Sequence, residues 1–207
     1  MIRILQHYTP NFKPLIDLTK PIHKEYCKRH GYSFNLKEVP EYPVYNGLEK
    51  LNQILEVCKE NDAALVMDAD VLITNHTIKI ENQFSYGKTL SFSKGLNMGV
   101  FVIKNCWFSI SIIKLMILLI EKGVCNCEQD AIELIYSKKL VYESTTETRK
   151  HPCFNSYLSE LYPEIPQPVT KEQGQWEKGC FILHVPALSI EKRIEVLNNI
   201  KQHIVYE

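Results

Sequence analysis

Short unbroken apolar runs alternate with stretches of helical spacing along most of this chain. Arg3-Ile4-Leu5-Gln6-His7-Tyr8 reads as a first buried strand, stopped by Thr9-Pro10. Thr19 to His30 reads as a helix, with Thr19 as N-cap, Pro21 in the first turn, basic residues near the end and Gly31 as the stop. Tyr32 to Val39 alternates as a second strand, and Leu48 to Glu60 places Leu51, Ile54, Leu55 and Cys58 on one helical face. The run Ala63-Ala64-Leu65-Val66-Met67 is a strand buried on both faces, and it leads straight into Asp68-Ala69-Asp70 before Val71-Leu72-Ile73. Thr89 to Ser93 and Val100 to Lys104 are further strands. Trp107 to Lys122 is an apolar helix, and another opens at Cys127-Glu128-Gln129-Asp130 and runs to about Lys138. Cys180 to Pro186 is a last strand ending at His184, and Ser189 to His203 closes the chain as a helix with Arg193 in its first two turns. Strands alternating with helices predict an α/β domain.

Asp68 and Asp70 stand at i and i+2, so an extended backbone would send both carboxylates to the same side. Two like charges at the end of a buried strand raise each other's cost of ionisation unless a cation neutralises them. Hard oxygen ligands of this kind suit Mg²⁺ or Mn²⁺, and strand ends are where ligands bind in open α/β sheets. Turn capping, or pairing with Lys or Arg, is the plainer alternative. Gln6, His7 and Tyr8, at the end of the first strand, are candidates for base or ribose contacts; packing at a strand end is the alternative for Tyr8. Lys50 reads as a solvated surface lysine by pattern alone. Asn97-Met98-Gly99 puts an amide and a glycine at a sheet edge, where Gly99 permits close backbone approach to a ligand. Glu128 and Gln129 sit at a helix N-terminus, where ordinary capping also favours them. His184 reads by itself as structural.

Composition narrows the classes. The 207 residues carry 24 basic and 24 acidic side chains, so no bulk field drives nucleic-acid or membrane binding. One domain, 1–207, is expected. Seven cysteines without a signal-peptide pattern read as reduced thiols in a cytosolic protein. The apolar run Trp107 to Ile120 is broken by Lys114 and is too short to span a bilayer, so no stable membrane insertion is expected. Asn75-His76-Thr77 is a glycosylation sequon in form only.

Taken in order, several segments resemble the GT-A-fold glycosyltransferases, and most closely the galactosyltransferase family of yeast mannan and plant xyloglucan enzymes. They are Glu49-Lys50-Leu51, Val66 to Asn75, Leu96 to Asn105, Glu128-Gln129, Phe154 to Tyr157 and Trp176 to His184, with Arg193 at a familiar distance. The resemblance implies a Rossmann-like GT-A fold with a central mostly parallel, mixed sheet flanked by helices. It implies transfer of a sugar from a nucleotide-sugar donor, UDP-hexose or UDP-pentose, to a hydroxyl acceptor with retention of configuration. It implies Mn²⁺ or Mg²⁺ held by Asp68, Asp70 and His184, with Asp68 also touching ribose or sugar hydroxyls. Asn97 and Gly99 would line the donor sugar, Glu128 and Gln129 would stand beside the anomeric carbon, and Lys50 and Lys178 would meet the diphosphate. The acceptor is open: a glycan, a lipid-linked glycan or a modified DNA base.

Three departures stand out. Glu128 replaces the family's usual Asp, and Pro186-Ala187 stands where glycine is common. No anchor or stem is visible, so the chain reads as a compact bacterial or viral form. The alternatives are a nucleotidyltransferase acting on a sugar phosphate, which would carry a glycine-rich basic loop after the first strand, and a non-catalytic nucleotide-sugar-binding module.

Overall fold

The structure, a computed structural model, describes residues 1–41, 47–83, 90–93, 96–140, 146–149, 154–162, 170 and 174–207. Its six-stranded sheet has the order β2-β1-β3-β6-β5-β7, made of β1 (Ile2–Tyr8), β2 (Ser33–Glu38), β3 (Ala63–Met67), β5 (Leu90–Ser93), β6 (Val100–Lys104) and β7 (Thr146–Arg149). β1 pairs parallel with both β2 and β3, and β5 parallel with β7. β6 runs antiparallel to β3 and β5. The sheet is therefore mixed, as expected. β3 reads AALVM and is buried along its whole length, which is what a central strand covered on both faces requires.

The helices are α1 (Lys13–His30), α2 (Leu48–Glu60), α3 (Trp107–Glu121), α4 (Glu128–Ser137) and α5 (Ile190–Lys201). Leu51, Ile54, Val57 and Cys58 of α2 join Ile112, Ile113 and Met116 of α3 and Ala131, Ile132 and Ile135 of α4 against one face of the sheet. Tyr26 of α1 packs with Leu65, Met67, Val100 and Val102 on the other. α1 starts six residues before the predicted Thr19, because Pro14 opens its first turn and Lys13 pairs with Asp17 one turn on. Pro21 lies inside the helix, not at its start.

The largest difference from the sequence reading lies at the carboxylates. The stretch from Ala63 to Ile73 is broken by a turn at Ala69-Asp70. β4 (Val71–Ile73) leaves the main sheet and pairs antiparallel with β8 (Ile182–His184), Val71 opposite His184. β4 and β8 pack with α1 and α5 in a third apolar cluster around Leu15, Leu72, Leu183 and Leu197. The six described cysteines are free thiols. No helix of the described residues is long and apolar enough to cross a membrane. Asn75 is buried: its Oδ1 accepts from the Thr77 amide and hydroxyl, and its Nδ2 donates to the Gly179 carbonyl at 2.9 Å. The region of His151 to Cys153 and the prolines 163, 166 and 168 lie outside the described residues.

Candidate active site

Parallel register brings the ends of β1 and β3 level, with Gln6 opposite Met67, so His7 and Tyr8 stand beside Asp68. Antiparallel β6 brings Gly99 in from the other side, and the Asp68 amide donates to the Gly99 carbonyl at 2.8 Å. Gln6 fixes the turn from below. Its Nε2 donates to the Asp68 carbonyl at 3.1 Å, and its Oε1 accepts from Nδ1 of buried His23 at 3.0 Å. His23 Nε2 in turn accepts from the Ile73 amide at 3.3 Å. Both ring nitrogens are used in the neutral form, and burial pushes the His23 pKa down to about 3.

The turn sends the two carboxylates into different surroundings. Asp68 Oδ1 accepts from Lys50 Nζ at 2.7 Å. Lys50 is fully buried; it also donates to the Met98 carbonyl at 2.7 Å and lies 3.5 Å from Glu128 Oε1. Burial opposes its charge, but Asp68 and then Glu128 outweigh that and raise its pKa, so it is an ammonium ion. For Asp68 burial comes first and Asp70 adds to it; together they push the carboxyl up against the pull of Lys50.

Asp70 meets the opposite field. Its Oδ1 lies 3.3 Å from His184 Nε2 and its Oδ2 3.3 Å from Arg193 Nη1. Burial is again the largest influence, but His184 and Arg193 overcome it and hold the Asp70 carboxyl below the ordinary range. His184 arrives from β8, whose amide donates to the Ser156 carbonyl at 2.8 Å, and the Val185 amide donates to the Asp70 carbonyl at 3.1 Å. Arg193 reaches back from α5, whose N-cap is Ser189, and its guanidinium lies 4.8 Å over the Phe12 ring.

These groups border a cleft of about 250 Å³ lined by His7, Tyr8, Thr9, Phe12, Val39, Asp68, Ala69, Asp70, Glu128 and Arg193. His7 is buried beside Gln53; burial, then the Lys50 charge, lowers its pKa to about 3. Gly99 leaves a gap on the inner wall. A Cβ there would stand 2.6 Å from His184 Cε1, 2.9 Å from Asn97 Oδ1 and 3.2 Å from Asp68 Oδ2. Asn97 Oδ1 accepts from the Gly99 amide at 2.9 Å. Gly47, with φ +85°, lets the Glu128 carboxyl lie against the start of α2, where any Cβ would collide with it.

Most of the residues singled out from the sequence therefore meet: His7, Tyr8, Lys50, Asp68, Asp70, Asn97, Gly99, Glu128 and His184. Two are placed otherwise. Gln129 spends its side chain on the loop before β6, accepting from the Met98 amide at 3.0 Å and donating to the Leu96 carbonyl at 2.8 Å. Lys178 is exposed, ahead of β8 on the Ile182 side, whereas the cleft lies at the His184 end. Among the described residues the cation lining the cleft is Arg193, which the local sequence does not distinguish from any arginine early in a helix. Lys50 is no surface lysine, and its ammonium lies beneath Asp68.

The donor set fits a divalent cation. A carboxylate and an imidazole are already in contact, a second carboxylate oxygen lies across the Gly99 gap, and Asp70 is held ionised. Among the described residues no three His, Cys, Asp or Glu side chains form a ready-made metal cluster, and one Asp68 oxygen is taken by Lys50.

No protein-family model and no curated protein matches the chain. Solved structures do. A glycosyltransferase involved in the glycosylation of the major capsid of PBCV-1 aligns with a TM-score of 0.70 at 16% identity, over 96% of this chain and 98% of that one. The galactosyltransferase LgtC, in complex with donor and acceptor sugar analogues, aligns at 0.56 and 13% identity over 95% of each chain. The glycosyltransferase GlyE of Streptococcus pneumoniae TIGR4 aligns at 0.56 and 14% identity, over 100% of this chain and 66% of that one. At these identities the likeness is one of fold: this chain has the α/β fold of the GT-A glycosyltransferases.

Proposed function

We propose that this chain is a metal-dependent glycosyltransferase that moves a sugar from a nucleotide-sugar, UDP-linked, to a hydroxyl acceptor. The observation that carries the reading is Asp70, held ionised between His184 and Arg193 at the mouth of a cleft in a GT-A fold. Sugar transfer develops negative charge on the departing nucleoside diphosphate and positive charge at the anomeric carbon. Asp70 and His184, joined by the free oxygen of Asp68, would hold Mn²⁺ or Mg²⁺, which supplies positive charge for the diphosphate. Arg193 adds a second cation on the same side.

The other wall serves the sugar. Glu128 lines the cleft and is the carboxylate facing the anomeric carbon in this reading, where an oxocarbenium-like transition state gains from a nearby negative charge. Lys50 keeps Asp68 and Glu128 in place from beneath. Gln129 acts as a positioning residue by holding the loop of Leu96 and Met98, so that Asn97 and Gly99 border the sugar. His7 and Tyr8, with Phe12 and Val39, form the end suited to the nucleoside. Neutral His7 offers one donor and one acceptor there.

The test is donor hydrolysis across UDP- and GDP-sugars, with and without Mn²⁺, for wild type and Asp70→Ala. Metal-dependent release of nucleoside diphosphate from one donor, abolished by the substitution, is the expected result. Donor binding with no metal dependence and no release would leave a non-catalytic binding module instead.

A further inference from the structure

Two cations stand against the two carboxylates, and the structure commits them differently. Lys50 Nζ has three hydrogens and three oxygen neighbours: Asp68 Oδ1 and the Met98 carbonyl, each at 2.7 Å, and Glu128 Oε1 at 3.5 Å. It is fully buried, and its charge is spent on the scaffold. Arg193 lines the cleft instead, and its fork of N–H donors is poorly used. Nη1 lies 3.3 Å from Asp70 Oδ2, longer than the ~2.7–2.9 Å of a strong charge-assisted bond. Nε is buried with no hydrogen-bond partner among the described residues. The Phe12 ring, with its centroid 4.8 Å from the guanidinium carbon, attracts the charge without neutralising it.

A buried donor without an acceptor is costly, and a guanidinium fork matches phosphate oxygens two at a time. Arg193 therefore has a loose attachment to give up and a better one to gain. Its backbone is fixed in either case. The Arg193 amide donates to the Ser189 carbonyl at 3.0 Å, and Val196, Leu197 and Ile200 bury α5 against Leu72 of β4 and Leu183 of β8. Only the side chain has to turn. Asp70 Oδ1 faces His184, so Oδ2 is the oxygen that the guanidinium covers. A divalent cation approaching Oδ2 meets a positive charge already there.

We propose that Arg193 couples metal binding to nucleotide binding. Its guanidinium screens Asp70 Oδ2 against a divalent cation, and a diphosphate draws the guanidinium away, so each ligand clears the way for the other. The proposal rests on the glycosyltransferase reading and adds to it a dependence of one ligand on the other. Such coupling is reciprocal: the factor by which the nucleotide raises the metal's affinity is the factor by which the metal raises the nucleotide's.

The experiment measures each ligand alone and then both together, for wild type and Arg193→Gln. Mn²⁺ binding is followed by the electron paramagnetic resonance signal of the free ion, and UDP binding by calorimetry. Without UDP, Arg193→Gln should bind Mn²⁺ about fivefold or more tighter than wild type; without Mn²⁺, it should bind UDP about fivefold or more weaker. The gain that UDP gives to Mn²⁺ binding should shrink in the variant. A residue that merely tied α5 in place would weaken both ligands on removal. Weaker or unchanged Mn²⁺ binding by Arg193→Gln, or unchanged UDP binding, overturns the proposal. Arg193→Lys covers the case of a variant that fails to fold. It keeps the charge beside Asp70, so its Mn²⁺ binding without UDP should stay at the wild-type level, and tighter binding overturns the proposal. A wild type that binds neither ligand ends the glycosyltransferase reading and this inference with it. A wild type that binds both, with affinities indifferent to Arg193→Gln, ends this inference alone.

Discussion

Asp68 and Asp70 are two residues apart and belong to two different walls. Asp68 faces the helix layer of α2 and α4, where a buried lysine is shared with Glu128. Asp70 faces the β4–β8 ribbon and α5, where an imidazole and a guanidinium flank it. Burial and Asp70 raise the first carboxyl, while His184 and Arg193 lower the second. The difference teaches that a D-x-D spacing does not make two equivalent ligands. One turn at Ala69 is enough to pair one carboxylate with a buried lysine and to set the other between an imidazole and a guanidinium.

The sharpest way to break that comparison is at Lys50. Lys50→Met strands two carboxylates at the cleft floor; the Asp68 side chain is 38% exposed there, so the cost is about 2–3 kcal/mol, less than for a fully buried pair. Urea denaturation should show a loss of this size, partly recovered when Glu128→Gln is added. A loss under about 1 kcal/mol would mean that the Asp68 wall is solvated and the two carboxylates are alike. Gly99→Ala probes the space between the walls. The added methyl meets His184 and Asn97, and overpacking of this kind costs about 1–3 kcal/mol. Thermal melts should show it together with weakened Mn²⁺ binding; an unchanged melt and affinity would show that the walls are free to separate.

His23 ties both walls together through Gln6 and the Ile73 amide. Its folded pKa of about 3 lies below its ordinary 6.5, so between those values the unfolded chain binds the extra proton. Stability contributed by neutral His23 is therefore complete above pH 6.5 and falls on acidification toward pH 3, by up to about 1.4 kcal/mol per pH unit. His23→Gln should flatten the acid limb of the stability profile by one proton. An unaltered slope would contradict the neutral, doubly bonded ring. The smallest effect is expected at Ala187, just past His184, where φ is +58°. Ala187→Gly should add about 1 kcal/mol by relieving left-handed backbone strain, less the glycine entropy it introduces.

Much of the fold was legible because its elements are periodic. α2 spans the residues its apolar stripe marks, and β6 and the core of β3 read directly as apolar runs. β7, Thr146–Arg149, has no apolar run to mark it and lies at the sheet edge. Within the site, residues tied to strand ends were readable, since register alone brings His7, Asp68 and Gly99 together. Residues chosen by long-range packing were not. Nothing near Arg193 announces Asp70. The extended backbone assumed for Asp68-Ala69-Asp70 failed for the same reason: the pairing that pulls β4 out of line is with residues more than a hundred positions later.

The most direct test of the division of labour is a Mn²⁺ titration followed by the electron paramagnetic resonance signal of the free ion, with UDP present. Asp70→Asn and His184→Ala should each weaken binding by about a hundredfold or more, the loss of a direct ligand, while Asp68→Asn weakens it less. Equal losses at Asp68 and Asp70, or Mn²⁺ affinity indifferent to Asp70→Asn, would contradict the account.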